Sequence, residues 1–170
     1  MADRTQVGRM VARAGLIAAA YAVLCWVLKP ISYNILQLRV AEAMTTLPIL
    51  YAEAVPGLFV GALLANLLGG LGIWDITLGS LATLAAAWLT RRLRRSWLAY
   101  LPPVVVNAVV VGWYLTFLLH LPGPKVAGSA FLGAAAAIGL SEAIVVVVLG
   151  LPLVGILRRS GIGGPDITDR

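Results

Sequence analysis

Charge is scarce in this chain. Only 12% of its 170 residues are Asp, Glu, Lys or Arg and 61% are hydrophobic, whereas a soluble domain carries about 25% charge. A soluble globular fold is excluded, and the chain reads as one integral membrane domain with short tails. Cys25 is the one cysteine, which rules out an internal disulfide and a thiolate metal cluster and leaves a packing role. The single histidine, His120, belongs to no metal-ligand cluster and to no Ser–His motif, and its place at a helix end reads as interfacial. The chain is therefore not expected to be an enzyme or to bind a cofactor. The "GGLG" at 69–72 is not followed by Gly-Lys-Ser/Thr, so it is no phosphate loop, and any ATP used must be hydrolysed by another chain. Alternating polar and apolar strands are missing, which excludes a β-barrel, and the two halves share no repeated motif.

What remains is a series of apolar runs. A helix rises about 1.5 Å per residue, so crossing a core about 30 Å thick takes roughly 20 residues. Clear runs cover about 11–28, 75–90, 100–120 and 127–157. The stretch 38–70 is too long for one span and contains Pro48, Glu53 and Pro56-Gly57; proline removes a backbone donor and disfavours helix just before it. It divides into helices of about 38–50 and 55–70. The first run follows Arg4, Arg9 and Arg13 and imitates a signal peptide. However, "VLKP" stands where a small-x-small cleavage site is needed, and bulky Leu24 before Cys25 argues against a lipoprotein. It is expected to stay as the first span.

Charge settles the count. With six helices and a cytoplasmic N-terminus, ten of the thirteen Lys and Arg fall inside: Arg4, Arg9, Arg13, Arg91, Arg92, Arg94, Arg95, Arg158, Arg159 and Arg170. Only Lys29, Arg39 and Lys125 fall outside, whereas five helices would place "RRLRR" outside against the positive-inside rule. The expected fold is an all-α six-transmembrane-helix bundle over 11–158, with cytoplasmic tails at 1–10 and 159–170. The formal charge of +6 then reflects topology and not nucleic-acid binding.

Small residues repeat at four-residue spacing at Ala14, Ala18 and Ala22 and again at Gly57, Gly61, Ala65 and Gly69, allowing close backbone approach, within the bundle or to another subunit. Polar groups are costlier. A charge at mid-membrane costs about 2.5–3.5 kcal/mol, so it is expected to face a cavity or a partner. Arg39 and Glu42, Asn66, Trp74 with Asp75, Asn107 and Glu142 lie on five helices in the middle or outer half of the membrane. The bland readings are mutual neutralisation of Arg39 and Glu42, an N-cap at Asp75, and helix glue at Asn66 and Asn107. Glu142 has no basic residue near it in sequence and is the strongest ligand candidate. Two carboxylates, two carboxamides and a tryptophan suit a small, planar, donor-rich or cationic molecule.

At these residues the chain resembles the QueT family. The likeness is carried by "QLRVAEAMTTLP", "PGLFVGALLANLLGG", "WDITLGSLATLAA", "PPVVVNAVVVG" and "GLSEAIVVVVLG", spread over about residues 10–157. The resemblance implies a substrate-binding (S) component of an energy-coupling factor (ECF) transporter for queuosine precursors. It implies an outward pocket capped by the loop at about 29–37, a membrane coupling subunit, two cytosolic ATPases and toppling in the bilayer to release substrate. It also implies that small residues of the first helix, here Ala14, Ala18 and Ala22, contact the coupling subunit. The ligand would be a 7-deazaguanine, held by Glu142 and Glu42 with Asn107 and Asn66 on ring atoms, Trp74 stacking, Arg39 orienting Glu42, and Asp75 binding or capping. Other readings are an S component for thiamine or biotin, and a ligand-free assembly protein of the membrane.

Overall fold

The computed structural model describes residues 4–29, 39–70, 72–117 and 127–161, the side chains of 127–129 excepted. Within them the chain forms six helical rods. These are α1 (Arg4–Val27), α2 (Val40–Ile49) and α3 (Ala54–Gly69), then α4, built from Asp75–Gly79 and Ser80–Arg92. α5 joins Trp97–Tyr100 to Leu101–Phe117, and α6 joins Ala127–Val145, Val146–Gly150 and Leu151–Arg159. Arg4–Val27, Trp97–Phe117 and Ala130–Arg159 are long and apolar enough to cross a membrane, and Ala54–Gly69 is a shorter apolar helix. The expected capping loop from Pro30 onward lies outside the described residues, as do His120, Lys125 and the tail beyond Gly161. α1 begins at Arg4, inside the segment expected as the cytoplasmic N-terminal tail, because Arg, Gln and Met favour helix and water solvates their polar tips.

Polarity is inverted relative to a soluble protein. Leu67, Val109, Leu132 and Val147 are exposed, while Arg39, Glu42, Asn66, Asp75, Asn107 and Glu142 are buried. Exposed apolar surface on this scale needs lipid around it.

The innermost element is the first of the two helices into which the 38–70 stretch divides. α2 is a 3-10 helix of ten residues with eight of them buried. A 3-10 helix rises about 2.0 Å per residue, a third more than an α-helix, so α2 reaches farther than its length suggests. Its i→i+3 bonds tolerate Pro48, and the hydroxyls of Thr45 and Thr46 fold back on the carbonyls of Glu42 and Ala43 at 2.5 and 2.7 Å. Residues three apart eclipse in this helix, which aligns Arg39 with Glu42 along one edge.

The outer helices close around α2 through small residues. A Cβ on Gly57 would sit 2.7 Å from the Ala14 carbonyl, and one on Gly61 would sit 2.9 Å from the Ala18 carbonyl, so α3 lies directly on α1. α5 and α6 meet likewise at Gly112, whose added Cβ would lie 3.1 Å from the Ala135 backbone. Two π-helical segments, Asp75–Gly79 in α4 and Val146–Gly150 in α6, interrupt these rods. Freed carbonyls in a membrane helix need other donors. Asn66 Nδ2 donates to the Asp75 carbonyl at 2.9 Å, and the Thr46 hydroxyl lies 3.4 Å from the Gly150 carbonyl.

Candidate functional site

Arg39 enters α2 in an extended conformation (φ −85°, ψ 98°), which turns its side chain toward α3 and α4. Its guanidinium donates to Asn66 Oδ1 at 3.0 Å and to Asp75 Oδ1 at 3.4 Å. The same Asp75 oxygen accepts the Tyr114 hydroxyl at 2.5 Å. Asn66 completes the group with a contact to Ser80 Oγ at 3.3 Å. Gly79 makes room for it: a Cβ there would lie 3.0 Å from Asn66 Nδ2 and 3.2 Å from Asp75 Oδ1. Asp75 is fully buried and its side chain caps no helix, so it is an electrostatic anchor for Arg39 and not an N-cap.

One helix turn along α2, Glu42 is 2% exposed and accepts the Tyr21 hydroxyl at Oε1, 2.5 Å away. Asn107 of α5 borders the same space as Glu42 and Glu142. These three side chains, with Arg39, Gly79, Thr83, Val111 and Ile138, line one cavity. Glu42 Oε2 and Glu142 Oε1 are buried acceptors with no hydrogen-bond partner among the described residues. Such groups are uncommon in native interiors because each carries a desolvation cost. The cavity volume is about 10 Å³, room for about one water.

The structure therefore gathers Glu42, Asn107, Glu142 and Arg39 around one space and sets Asn66 and Asp75 behind Arg39. Trp74 does not line that space; it is 44% exposed at the start of α4. The Ala14, Ala18, Ala22 stripe does not form an open docking face. Ala18 and Ala22 are buried, and Ala14 and Ala18 are the residues that the α3 glycines touch. The open side of α1 carries a different small series, Gly8, Ala12, Gly15 and Ala19, all exposed. The sequence reading passed over Tyr21, Tyr114, Ser80 and Thr83. The available signal was a tyrosine within an apolar helix, whose hydroxyl must find a partner once buried.

Among the described residues no group of three or more His, Cys, Asp or Glu could hold a metal ion. The arrangement offers acceptors on two carboxylates, a carboxamide that both accepts and donates, and one guanidinium already matched by Asp75. Such a set is chemically suited to the donors of a polar molecule.

The model of one protein family, described as QueT transporter, matches residues 11–159. No curated protein and no solved structure matches the chain.

Proposed function

The chain belongs to the QueT transporter family, a family of membrane transporters and not of enzymes, and we propose that it is the substrate-binding S component of an ECF-type importer. Its ligand in this reading is a queuosine precursor, a 7-deazaguanine bearing an aminomethyl group, captured outside the cell. A membrane coupling subunit and two cytosolic ATPases drive its delivery inward. The protein sits in the cell membrane with both termini in the cytoplasm, where the positive-inside rule puts its arginine-rich end.

One observation carries the ligand class. Glu42 and Glu142 face the same cavity across Asn107, and each keeps a buried oxygen without a partner among the described residues. A guanine-like edge presents adjacent N–H donors that a carboxylate can accept together, and a carboxamide can pair with the ring carbonyl. Because Arg39 is matched by Asp75, the two glutamates are left to meet donors or a cationic amine. Thiamine shares the cationic character, whereas the carboxylate of biotin would meet two like groups.

A bicyclic base does not fit a space of about 10 Å³, so binding requires the helices around Glu42 and Glu142 to part. Association that waits on such a change is slower than docking to an open site. The coupling subunit is assigned to the open side of α1, where Gly8 and Gly15 leave a backbone accessible to another helix. A thermal-shift panel of deazapurines and vitamins on the detergent-purified protein tests the reading, since a ligand of the folded state raises its melting temperature. A deazaguanine should give the largest shift, and a larger one from thiamine would reassign the site.

A further inference from the structure

Tyr21 stands on the inward face of α1 with Ile17 and Cys25, one turn to either side of it, and its side chain is completely buried. It is not among the described residues that border the cavity, yet its hydroxyl donates at 2.5 Å to Oε1 of Glu42, which is. The phenol has little freedom of its own. α3 packs directly on it: a Cβ on Gly61 would lie 2.9 Å from the Tyr21 Cβ. Glu42 is held at its backbone as well, where the Thr45 hydroxyl donates to its carbonyl at 2.5 Å. What remains free in Glu42 is a flexible side chain, and the bond from Tyr21 fixes its end.

We infer that Tyr21 is a positioning residue of the ligand site: by holding Oε1 of Glu42 it presents Oε2 to the ligand. This role rests on Glu42 being a ligand group, as proposed above. A carboxylate has two oxygens and about four acceptor positions between them. With a phenol on Oε1 the carboxylate is set in place, and Oε2, buried and without a hydrogen-bond partner among the described residues, is the oxygen left for donors in the cavity. A hydroxyl donating to an ionised oxygen makes one of the stronger hydrogen bonds of a protein interior. The ligand therefore meets a carboxylate that is already ordered, and ordering a flexible side chain during binding is a cost that preorganisation removes. The chemistry also explains a tyrosine where phenylalanine would fill the same space. A buried hydroxyl is unfavourable unless it is matched, and this one is matched by a group that the ligand needs.

The test is a double-mutant cycle. Calorimetry on the detergent-purified full chain measures binding of an aminomethyl-deazaguanine to wild type, Tyr21→Phe, Glu42→Ala and the double variant. Tyr21→Phe should weaken binding roughly tenfold when Glu42 is present and by less than about twofold once Glu42 is alanine, because no carboxylate is left to position. Arg13→Gln, which breaks another tie of α1, to Glu53, should keep wild-type affinity. Equal losses from Tyr21→Phe in both backgrounds would overturn the inference and leave Tyr21 a packing residue. A second readout needs only wild type and Tyr21→Phe. Donors arriving at Oε2 draw charge from Oε1, so the ultraviolet difference spectrum on binding should carry a tyrosine band that Tyr21→Phe removes. The same band in the variant would also overturn the role. Full affinity in Glu42→Ala would instead sink Glu42 as a ligand group, and Tyr21 with it. Thiamine is titrated alongside: tighter binding of thiamine would reassign the ligand, and the same cycle with thiamine would still decide the role of Tyr21.

Discussion

Tyr21 and Glu42 are joined by a 2.5 Å hydrogen bond between the phenol of α1 and a carboxylate oxygen of α2. The bond ties an outer, lipid-facing helix to the innermost one, and both groups are almost fully buried. Removing one member of a buried pair leaves the other unsatisfied, at a cost of about 1–3 kcal/mol. Tyr21→Phe should lower stability by that amount, read as a drop in melting temperature in detergent. A melt identical to wild type would mean that the Glu42 oxygen finds another donor.

Glu142 supplies an acceptor within an apolar helix, and Glu142→Gln keeps its shape while replacing one oxygen by a donor. Binding of an aminomethyl-deazaguanine should weaken at least tenfold, about 1.4 kcal/mol. Calorimetry on folded protein measures this directly. Unaltered affinity would remove Glu142 from the site and leave its burial to be explained by packing.

Two ion pairs among the described residues differ in environment, and the difference predicts their worth. Arg39 and Asp75 are both buried, whereas Arg13, 2.6 Å from Glu53, is 36% exposed. Breaking a fully buried pair strands the remaining charge, at about 3–5 kcal/mol, while Glu53, 9% exposed beside a partly exposed arginine, keeps more access to water and loses less. Arg39→Met should therefore destabilise the protein far more than Arg13→Gln in parallel thermal melts. Similar losses would show that water reaches Asp75.

Two glycines of neighbouring helices separate packing from partner contact. A side chain on Gly61 would collide with the Ala18 carbonyl, while one on Gly15 would meet nothing within 4 Å. Gly61→Val should cost about 1–3 kcal/mol through overpacking. Gly15→Leu should leave the melting temperature unchanged and reduce copurification of the coupling subunit. Full recovery of the complex with Gly15→Leu would move the docking surface off this side of α1.

The amino-acid sequence alone determined that this is a helical membrane protein, where its six helices lie, and which polar residues it can least afford to expose. Those conclusions follow from composition, from prolines that end helices and from the cost of charge in lipid, all properties of single residues or short windows. Neighbours are another matter. A helix bathed in lipid is apolar on nearly every side, so periodicity does not say which side meets protein. Hence the alanines of α1 fitted a contact within the bundle as well as one with another subunit, and only the fold shows Ala14 and Ala18 packed on α3; Trp74 read as a stacking ring and is 44% exposed. Only the folded bundle decided that α2 is a buried 3-10 helix, that Tyr21 and Tyr114 each serve a carboxylate, and that Glu42, Asn107 and Glu142 share a cavity. Such pairings join residues 21 to 40 positions apart and farther, and they are fixed by which apolar faces the close-packed glycines allow to touch.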